Sequence, residues 1–234
     1  MANPYYEAGN ARAERVHDLF GDIAPRYDFI NDLQSLGLHR LWKRRLVRLA
    51  GIAPGTRALD VCCGTGDIAL ALRDSGASAT GLDFSVPMLR VAQERAASPA
   101  PLFLRGDAQH LPFPDNTFDA VTVGYGLRNL ASWQRGLEEM RRVVKPGGRV
   151  FVLDFGKPTN SLWRALYFFY LRAGVPVFGK LFCKNAPAYA YIYESLQHYP
   201  AQQGVEEYMR RLGCRETRVI NLLGGAMSIN AGTK

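Results

Sequence analysis

The sequence predicts an α/β fold, a seven-stranded and mostly parallel sheet with helices on both faces. Three observations predict it. From Thr56 onward, short apolar runs alternate with helical stretches, the pattern of strand–helix–strand units with right-handed crossovers. A glycine loop, Gly64-Thr65-Gly66, stands between the first run and the helix after it. The 234 residues, 47% hydrophobic and 21% charged, suffice for one such domain with a full core.

Residues 11–50 read as helices. Over residues 38–49 the apolar side chains recur at helical spacing, and Leu41, Trp42, Leu46 and Leu49 form the face expected to pack on the sheet. Arg40, Lys43, Arg44, Arg45 and Arg48 fill the rest, either as a solvated outer face or as a surface resting on anionic lipid. Gly51 caps this helix and Pro54-Gly55 makes a turn.

Strands are expected at 58–62, 79–82, 102–104, 118–123 and 149–154. The intervening helices begin at 68–72 and cover 88–97 and 133–144. Ser85 caps the second of them, with Pro87 early in it, where proline is tolerated. Lys145-Pro146-Gly147-Gly148 stops the third. Residues 160–184 are rich in aromatics, with Gly174 and Pro176 breaking any continuous helix. They read as an insertion over the C-terminal edge of the sheet, either a greasy entrance or ordinary core packing. A helix at 204–213 and two strands at 216–221 and 226–231 follow, the strands as an antiparallel hairpin closing the sheet.

Composition narrows the function. No signal peptide is visible at the N-terminus, and no run of about 18 apolar residues suggests a spanning helix. Cys62, Cys63, Cys183 and Cys214 include no CxxC pair, so no zinc site and no metal is expected. Reduced thiols suit a cytoplasmic enzyme. The net charge of +8 favours anionic partners, including an anionic membrane surface. No zinc finger or RNP aromatic motif marks a specific nucleic-acid binder.

The strongest local signal is Leu59-Asp60-Val61-Cys62-Cys63-Gly64-Thr65-Gly66-Asp67. Glycines let the backbone approach a ligand, and the helix N-terminus offers free N–H groups. Asp83 falls 17 residues after Gly66, at the end of the next strand, where a carboxylate accepts from ribose hydroxyls. Gly64-x-Gly66-x-x-Ala69 also satisfies a relaxed dinucleotide fingerprint, which leaves a dehydrogenase as a rival. Two details favour a sulfonium cofactor, S-adenosylmethionine. Asp60 faces the loop, and a carboxylate there suits a cationic amino-acid moiety and repels a diphosphate. Gly106-Asp107-Ala108 follows the third strand, where Asp107 either accepts from an adenine amino group or caps a helix.

The sequence resembles the menaquinone/ubiquinone C-methyltransferase family (MenG/UbiE) over nearly its whole length. The matching stretches are residues 59–67, 111–119 (Leu-Pro-Phe-Pro-Asp-Asn-Thr-Phe-Asp), 126–129 (Gly-Leu-Arg-Asn), 142–148 and 153–155. The glycine loop and the Lys-Pro-Gly-Gly turn are shared by many methyltransferases; the Gly-Leu-Arg-Asn stretch is more specific. Upstream, Phe20, Ile23, Ala24, Tyr27, Asp28 and Asn31 resemble that family's N-terminal lid. Downstream, Tyr189, Tyr191, Ser195, Tyr199-Pro200 and the closing glycines match its C-terminal pattern.

The resemblance implies a class I methyltransferase with a Rossmann-like seven-stranded sheet. It divides the chain into a helical lid over 1–55 and a cofactor-binding domain over 56–234, with the aromatic-rich insertion at 160–200. It implies methyl transfer to a ring carbon of a polyprenylated quinol. Demethylmenaquinol is favoured; a demethylated ubiquinol precursor or another small aromatic or lipid is the alternative. It implies cofactor contacts at Thr65, Asp83, Asp107-Ala108 and Gly124, beside Asp60, Gly64 and Gly66 from the loop itself. Gly124 stands where many members carry serine, Cys62-Cys63 read as packing residues, and Met227-Ser228-Ile229-Asn230 departs from the usual family sequence. A polyprenylated substrate places the enzyme in the cytoplasm with peripheral contact on the inner face of the membrane.

For the acceptor, Arg128 is the first candidate because it lies just past the fourth strand. α/β sheets place ligands at that edge. Arginine stays protonated and makes a poor base, so its expected role is to stabilise a developing phenolate or to orient a water. A surface salt bridge is the other reading. Asn129 either positions the ring oxygen or holds the loop. Tyr191 and His198 are further candidates, His198 as a base, against a core tyrosine and a surface histidine. Asp154 either supports the site from behind or caps a helix.

Overall fold

The computed structural model describes residues 31–32, 35–175 and 186–234, with side chains in the last stretch from 192 onward. The readings of Phe20, Ile23, Ala24, Tyr27 and Asp28 in the lid, of Pro176, and of the side chains of Tyr189 and Tyr191 lie outside the described residues.

Seven strands form one sheet in the order β3-β2-β1-β4-β5-β7-β6. They are β1 (Arg57–Val61), β2 (Ser78–Asp83), β3 (Leu102–Arg105), β4 (Phe118–Gly124), β5 (Val144–Phe155), β6 (Arg215–Leu222) and β7 (Met227–Thr233). The first five run parallel; β7 is antiparallel to both β5 and β6. The expected closing hairpin is therefore present, folded so that its second strand inserts beside β5. The strand order reverses between β1 and β4, and such a reversal opens a crevice at the C-terminal ends of the strands.

The described helices are α1 (Leu38–Ala50), α2 (Asp67–Asp74), α3 (Val86–Arg95), α4 (Trp133–Val143), α5 (Ser161–Phe169), α6 (Ala186–His198) and α7 (Ala201–Arg211). Period-two alternation along the strands sorts side chains to two faces. Leu59, Val61, Val121, Val123, Val150 and Val152 pack with Leu137 and Met140 of α4 and Val205 and Met209 of α7. Ala58, Ala120, Phe151, Leu153 and Ile229 pack with Leu46 and Val47 of α1 and Ile68 and Leu72 of α2. Ser85 caps α3 as expected, its hydroxyl accepting from the Met88 N–H.

Five expectations need correction. The buried stripe of α1 is His39, Lys43, Leu46, Val47 and Ala50, while Leu41 is exposed. Lys43 was read as part of the polar remainder, yet it lies in register with the buried stripe. Lys-Pro-Gly-Gly is no separate stop signal after a helix to 144. Helix α4 ends at Val143, and β5 starts at Val144. The sheet register jumps from Phe118↔Val144 to Ala120↔Arg149, so the four residues loop out of the ladder. There the Gly147 N–H donates to the Lys234 carbonyl, and the Lys234 N–H to that of Gly148.

Gly174 does not break the aromatic stretch. The helix continues past α5 through a wider turn at Tyr170–Gly174 into Val175. Wider turns of this kind accommodate an extra residue without ending the helix. Helix α6 was not expected at all, and α7 spans Ala201–Arg211 instead of 204–213. Nearly every residue from Ala186 to Tyr193 is apolar or aromatic, so no polar face marks a helical period.

Candidate active site

The site is built at the C-terminal ends of β1, β2, β3, β4 and β5. At the end of β1 the backbone turns sharply. Cys62 takes φ 54°, Gly64 φ 53° and Gly66 φ 86°. A Cβ on Gly64 would meet no atom within 4 Å, so the loop borders open space there. Gly66 is instead a packing glycine, with Ala92 Cβ and Phe103 at 3.0 and 3.2 Å from where its own Cβ would stand. Asp83 holds the loop from β2. One carboxylate oxygen accepts the Gly64 N–H at 2.8 Å and the other accepts the Ser85 N–H at 2.8 Å. Oxygens of a carboxylate accept more than one hydrogen bond, so these contacts orient Asp83 while leaving it able to receive hydroxyls.

Asp60 is 1% exposed, on the α1 side of β1. Its Oδ1 accepts from Thr122 Oγ1 at 2.8 Å, while Oδ2 has no partner among the described residues. Burial pushes its carboxyl up to about 7, against the pull of Thr122 and Lys43. A buried carboxylate oxygen in this condition is unfavourable unless a donor or cation meets it. The neighbouring Asp67 contrasts with it. Burial opposes its ionisation too, but Lys43 at 2.8 Å and Arg95 at 2.6 Å hold its carboxyl down to about 2. Lys43 thus ties α1 to the start of α2, and Arg95 ties it to α3, also donating to the Thr65 carbonyl at 2.9 Å.

Asp107 follows β3. Its Oδ1 accepts the Gln109 N–H at 2.8 Å, closing a turn; no helix follows, so Asp107 is not the helix cap that was the alternative. Ala108 is buried in the core beside it. Gly124 ends β4, where a Cβ would stand 2.5 Å from Ile68 Cδ1. A serine in this backbone would have to displace Ile68. Tyr125 follows at φ 62°, a conformation that side chains other than glycine adopt at a cost. Two strained residues, Cys62 and Tyr125, therefore flank the crevice between β1 and β4.

Arg128 lies in a one-turn helix, Leu127–Asn129, and is not on the surface. Its side chain is 5% exposed and that of Asp154 is 3%, with Nη1 donating to Asp154 Oδ1 at 3.1 Å. The Arg128 N–H donates to Asp154 Oδ2 at 3.2 Å, and Nη1 also donates to the Tyr125 carbonyl. The guanidinium stacks 4.6 Å from the Phe155 ring. Burial raises the Asp154 carboxyl, with Arg128 opposing. The alternative of a surface salt bridge is thus overturned: the pair is internal, and Asp154 both backs the Arg128 side chain and accepts a backbone N–H in the first turn of the short helix Leu127–Asn129. Asn129 holds the loop, Nδ2 donating to the Tyr125 carbonyl at 3.2 Å. Tyr191 belongs to α6 through its backbone, and His198 is exposed in the last turn of that helix.

These residues converge. The thiol of Cys62 is raised by burial and then by the charges of Asp83, Asp60, Asp107 and Asp154. Four carboxyl groups, at or just past the C-terminal ends of β1, β2, β3 and β5, therefore act on this one thiol. Sequence reading missed Thr122 and Lys43. Thr122 carried no motif. Lys43 did carry a signal, since it stands four residues after His39 and three before Leu46, within the buried stripe.

Two of the longer motifs turn out to shape the scaffold. Leu111 to Asp119 is cradled by α4: the Leu111 N–H donates to Glu139, and Arg142 donates to the carbonyls of Leu111 and Phe113 and to Asp115. Asp119 accepts from the Arg57 N–H and from Lys145. The departure at Met227–Asn230 lies in β7, where Asn230 is buried and donates to the Gln202 carbonyl at 2.7 Å.

Residues 8–234 match the ubiE/COQ5 methyltransferase family. A demethylmenaquinone methyltransferase of Desulfitobacterium hafniense (strain Y51) is 43% identical over 234 residues, 97% of this chain and 92% of that one. A ubiquinone/menaquinone biosynthesis C-methyltransferase, UbiE, of Teredinibacter turnerae is 40% identical over 239 residues, 98% of this chain and 96% of that one. Among solved structures, a SAM-dependent methyltransferase of Thermotoga maritima, a possible histamine N-methyltransferase by its description, aligns with TM-score 0.66 at 20% identity. The alignment covers 93% of this chain and 99% of that one. At that identity the likeness is one of fold, and the fold is that of the class I methyltransferases.

Proposed function

The chain belongs to the ubiE/COQ5 methyltransferase family, and we propose that it transfers the methyl group of S-adenosylmethionine to a ring carbon of demethylmenaquinol, a polyprenylated naphthoquinol. The observation that carries this reading is the strand-end site itself: Asp83 on the glycine loop, the buried Oδ2 of Asp60 without a partner among the described residues, and the buried Arg128 paired to Asp154.

S-adenosylmethionine is the methyl donor, and its sulfonium supplies an electrophilic methyl group when bound. The residues present fit it. Asp60 Oδ2 is buried and unpartnered among the described residues, so a cationic amino-acid moiety would satisfy it. The open space before Gly64 leaves room at the loop, and Asp83 stands ready for ribose hydroxyls. Asp107 and Ala108 would border the adenine. A diphosphate in this place would face Asp83, Asp107 and the unpartnered Oδ2 of Asp60, which disfavours a dinucleotide.

Transfer to carbon needs an electron-rich ring and in-line geometry more than covalent help. A ring hydroxyl that gives its proton to water enriches the neighbouring carbon, and once that carbon holds the methyl group its own hydrogen leaves as a proton to water as the ring regains aromaticity. Arg128 would stabilise the ring oxygen as charge develops. Asp154 and the Tyr125 carbonyl hold the guanidinium in place, and Phe155 backs it, so it cannot swing away. Asn129 fixes the same loop.

The polyprenyl tail supports a second part of the proposal, contact with a bilayer surface. Helix α5 and its wider turn have two sides. Trp163, Tyr167, Phe168 and Leu171 pack inward, while Leu162, Leu166, Phe169 and Tyr170 are exposed, with Leu162 at 69% and Phe169 at 70%. Arg164 and Arg172 stand beside that stripe, also exposed. An apolar stripe with basic flanks suits the headgroup boundary of an anionic membrane. Among the described residues no helix is long and apolar enough to cross one.

The test is an assay of purified protein with S-adenosylmethionine and either reduced demethylmenaquinone or the demethylated benzoquinol, followed by mass spectrometry. The expected product is the methylated naphthoquinol. Arg128→Ala is expected to lower kcat at least roughly 100-fold while S-adenosylhomocysteine affinity stays near wild type. Arg128→Lys, which keeps a charge beside Asp154, separates lost chemistry from lost folding. An Arg128→Ala variant that methylates as fast as wild type removes Arg128 from this role.

A further inference from the structure

Two buried tyrosines lie within electrostatic reach of the Arg128–Asp154 pair, and they differ in one respect. The hydroxyls of Tyr167 and Tyr199 both feel the charges of Arg128 and Asp154, and burial raises both. Tyr167 Oη donates to the Ala226 carbonyl at 3.0 Å. Tyr199 Oη, equally hidden from solvent, has no hydrogen-bond partner among the described residues.

Nothing about Tyr199 is loose. Its N–H donates to the Ser195 carbonyl at 3.0 Å, and its own carbonyl accepts from Lys157 Nζ at 2.8 Å. The ring meets Trp133 edge-on, at 6.2 Å between centroids. Ala201, two residues on, takes φ 57°, a strained conformation for alanine. The hydroxyl is therefore held by its ring and backbone, with no partner among the described residues to justify its position. A phenylalanine would fill the same core space without burying an unpaired polar atom, which is unfavourable. Such unpaired groups call for an explanation, and a ligand is one.

We propose that Tyr199 Oη donates a hydrogen bond to a ring oxygen of the acceptor quinol, acting with Arg128 as a further catalytic residue. The inference rests on the function proposed above, which puts the acceptor ring beside Arg128. Tyr199 is a donor here and not a base, because its buried hydroxyl keeps its proton. A donor aimed at an oxygen that gains charge during the reaction acts on kcat more than on KM.

Tyr199→Phe tests this. The variant is expected to lower kcat roughly 10- to 100-fold with the quinol, since hydrogen bonds to charged groups are the strong ones. KM and the affinity for S-adenosylhomocysteine should change little. The Tm of the ligand-free protein should stay level or rise, since the removed hydroxyl has no partner among the described residues. Unchanged kcat overturns the proposal and assigns the hydroxyl to a trapped water or to idle packing. A fall in ligand-free Tm together with cofactor affinity also overturns it, in favour of a structural role. A wild-type protein that methylates no quinol removes the proposed function and this inference with it; a wild type that turns over normally beside an equally active variant removes the inference alone.

Discussion

Asp60 is the residue whose chemistry is most exposed to measurement. Burial pushes its carboxyl up to about 7 from an ordinary 3.8, so the free protein carries a proton there in mildly acid solution. S-adenosylhomocysteine keeps its amino group charged below about pH 8 and is expected to meet the ionised form. Its affinity should therefore fall as pH drops through 7, approaching about tenfold per unit. Calorimetry in two buffers of different ionisation enthalpy should show a proton released on binding at pH 6 and little at pH 8. Asp60→Asn should flatten the profile. Stability of the free protein runs the other way. A carboxyl raised in the fold favours the folded state at low pH, and that contribution is lost as pH rises from about 4 to 7. Asp83 and Arg128 were legible as site residues because strand ends and a glycine loop fix where they must be. Thr122 was not, since its role depends on the register Asp60↔Thr122 between β1 and β4, which no local pattern encodes.

At the scale of elements, the alternation of strands and helices was legible from Thr56 to Asp154, because each parallel strand reads as its own apolar run. What escaped were the elements whose signal is set by packing. Helix α6 lacks a polar face to mark its period. The Lys-Pro-Gly-Gly stretch reads as a stop, yet it is a loop-out inside β5, pinned by Lys234 from the far end of the chain. Helix α5 reads as rich in aromatics, and only the folded chain sorts it into a buried and an exposed side. That sorting yields a prediction. Leu162→Ser with Phe169→Ser is expected to reduce flotation with anionic liposomes and to raise KM for a long-tailed quinol, leaving a short-tailed analogue unaffected. Equal flotation of variant and wild type removes α5 from membrane contact and returns attention to the basic face of α1.

Over the whole molecule, charge is arranged by location more than by sum. The net value of +8 points to anionic partners, and Arg44, Arg45 and Arg48 do lie exposed on α1. Inside the crevice the balance is reversed, with four carboxyl groups acting on the Cys62 thiol and Arg128 already committed to Asp154. Such a site attracts a cation even in a basic protein, because buried charges are screened far less than surface ones. The direct measurement is a calorimetric titration of the wild-type protein with S-adenosylhomocysteine and, separately, with NADH. Saturable binding of the first, abolished by Asp83→Ala, and no heat from NADH is the predicted result. Tight binding of NADH with none of S-adenosylhomocysteine would contradict the account.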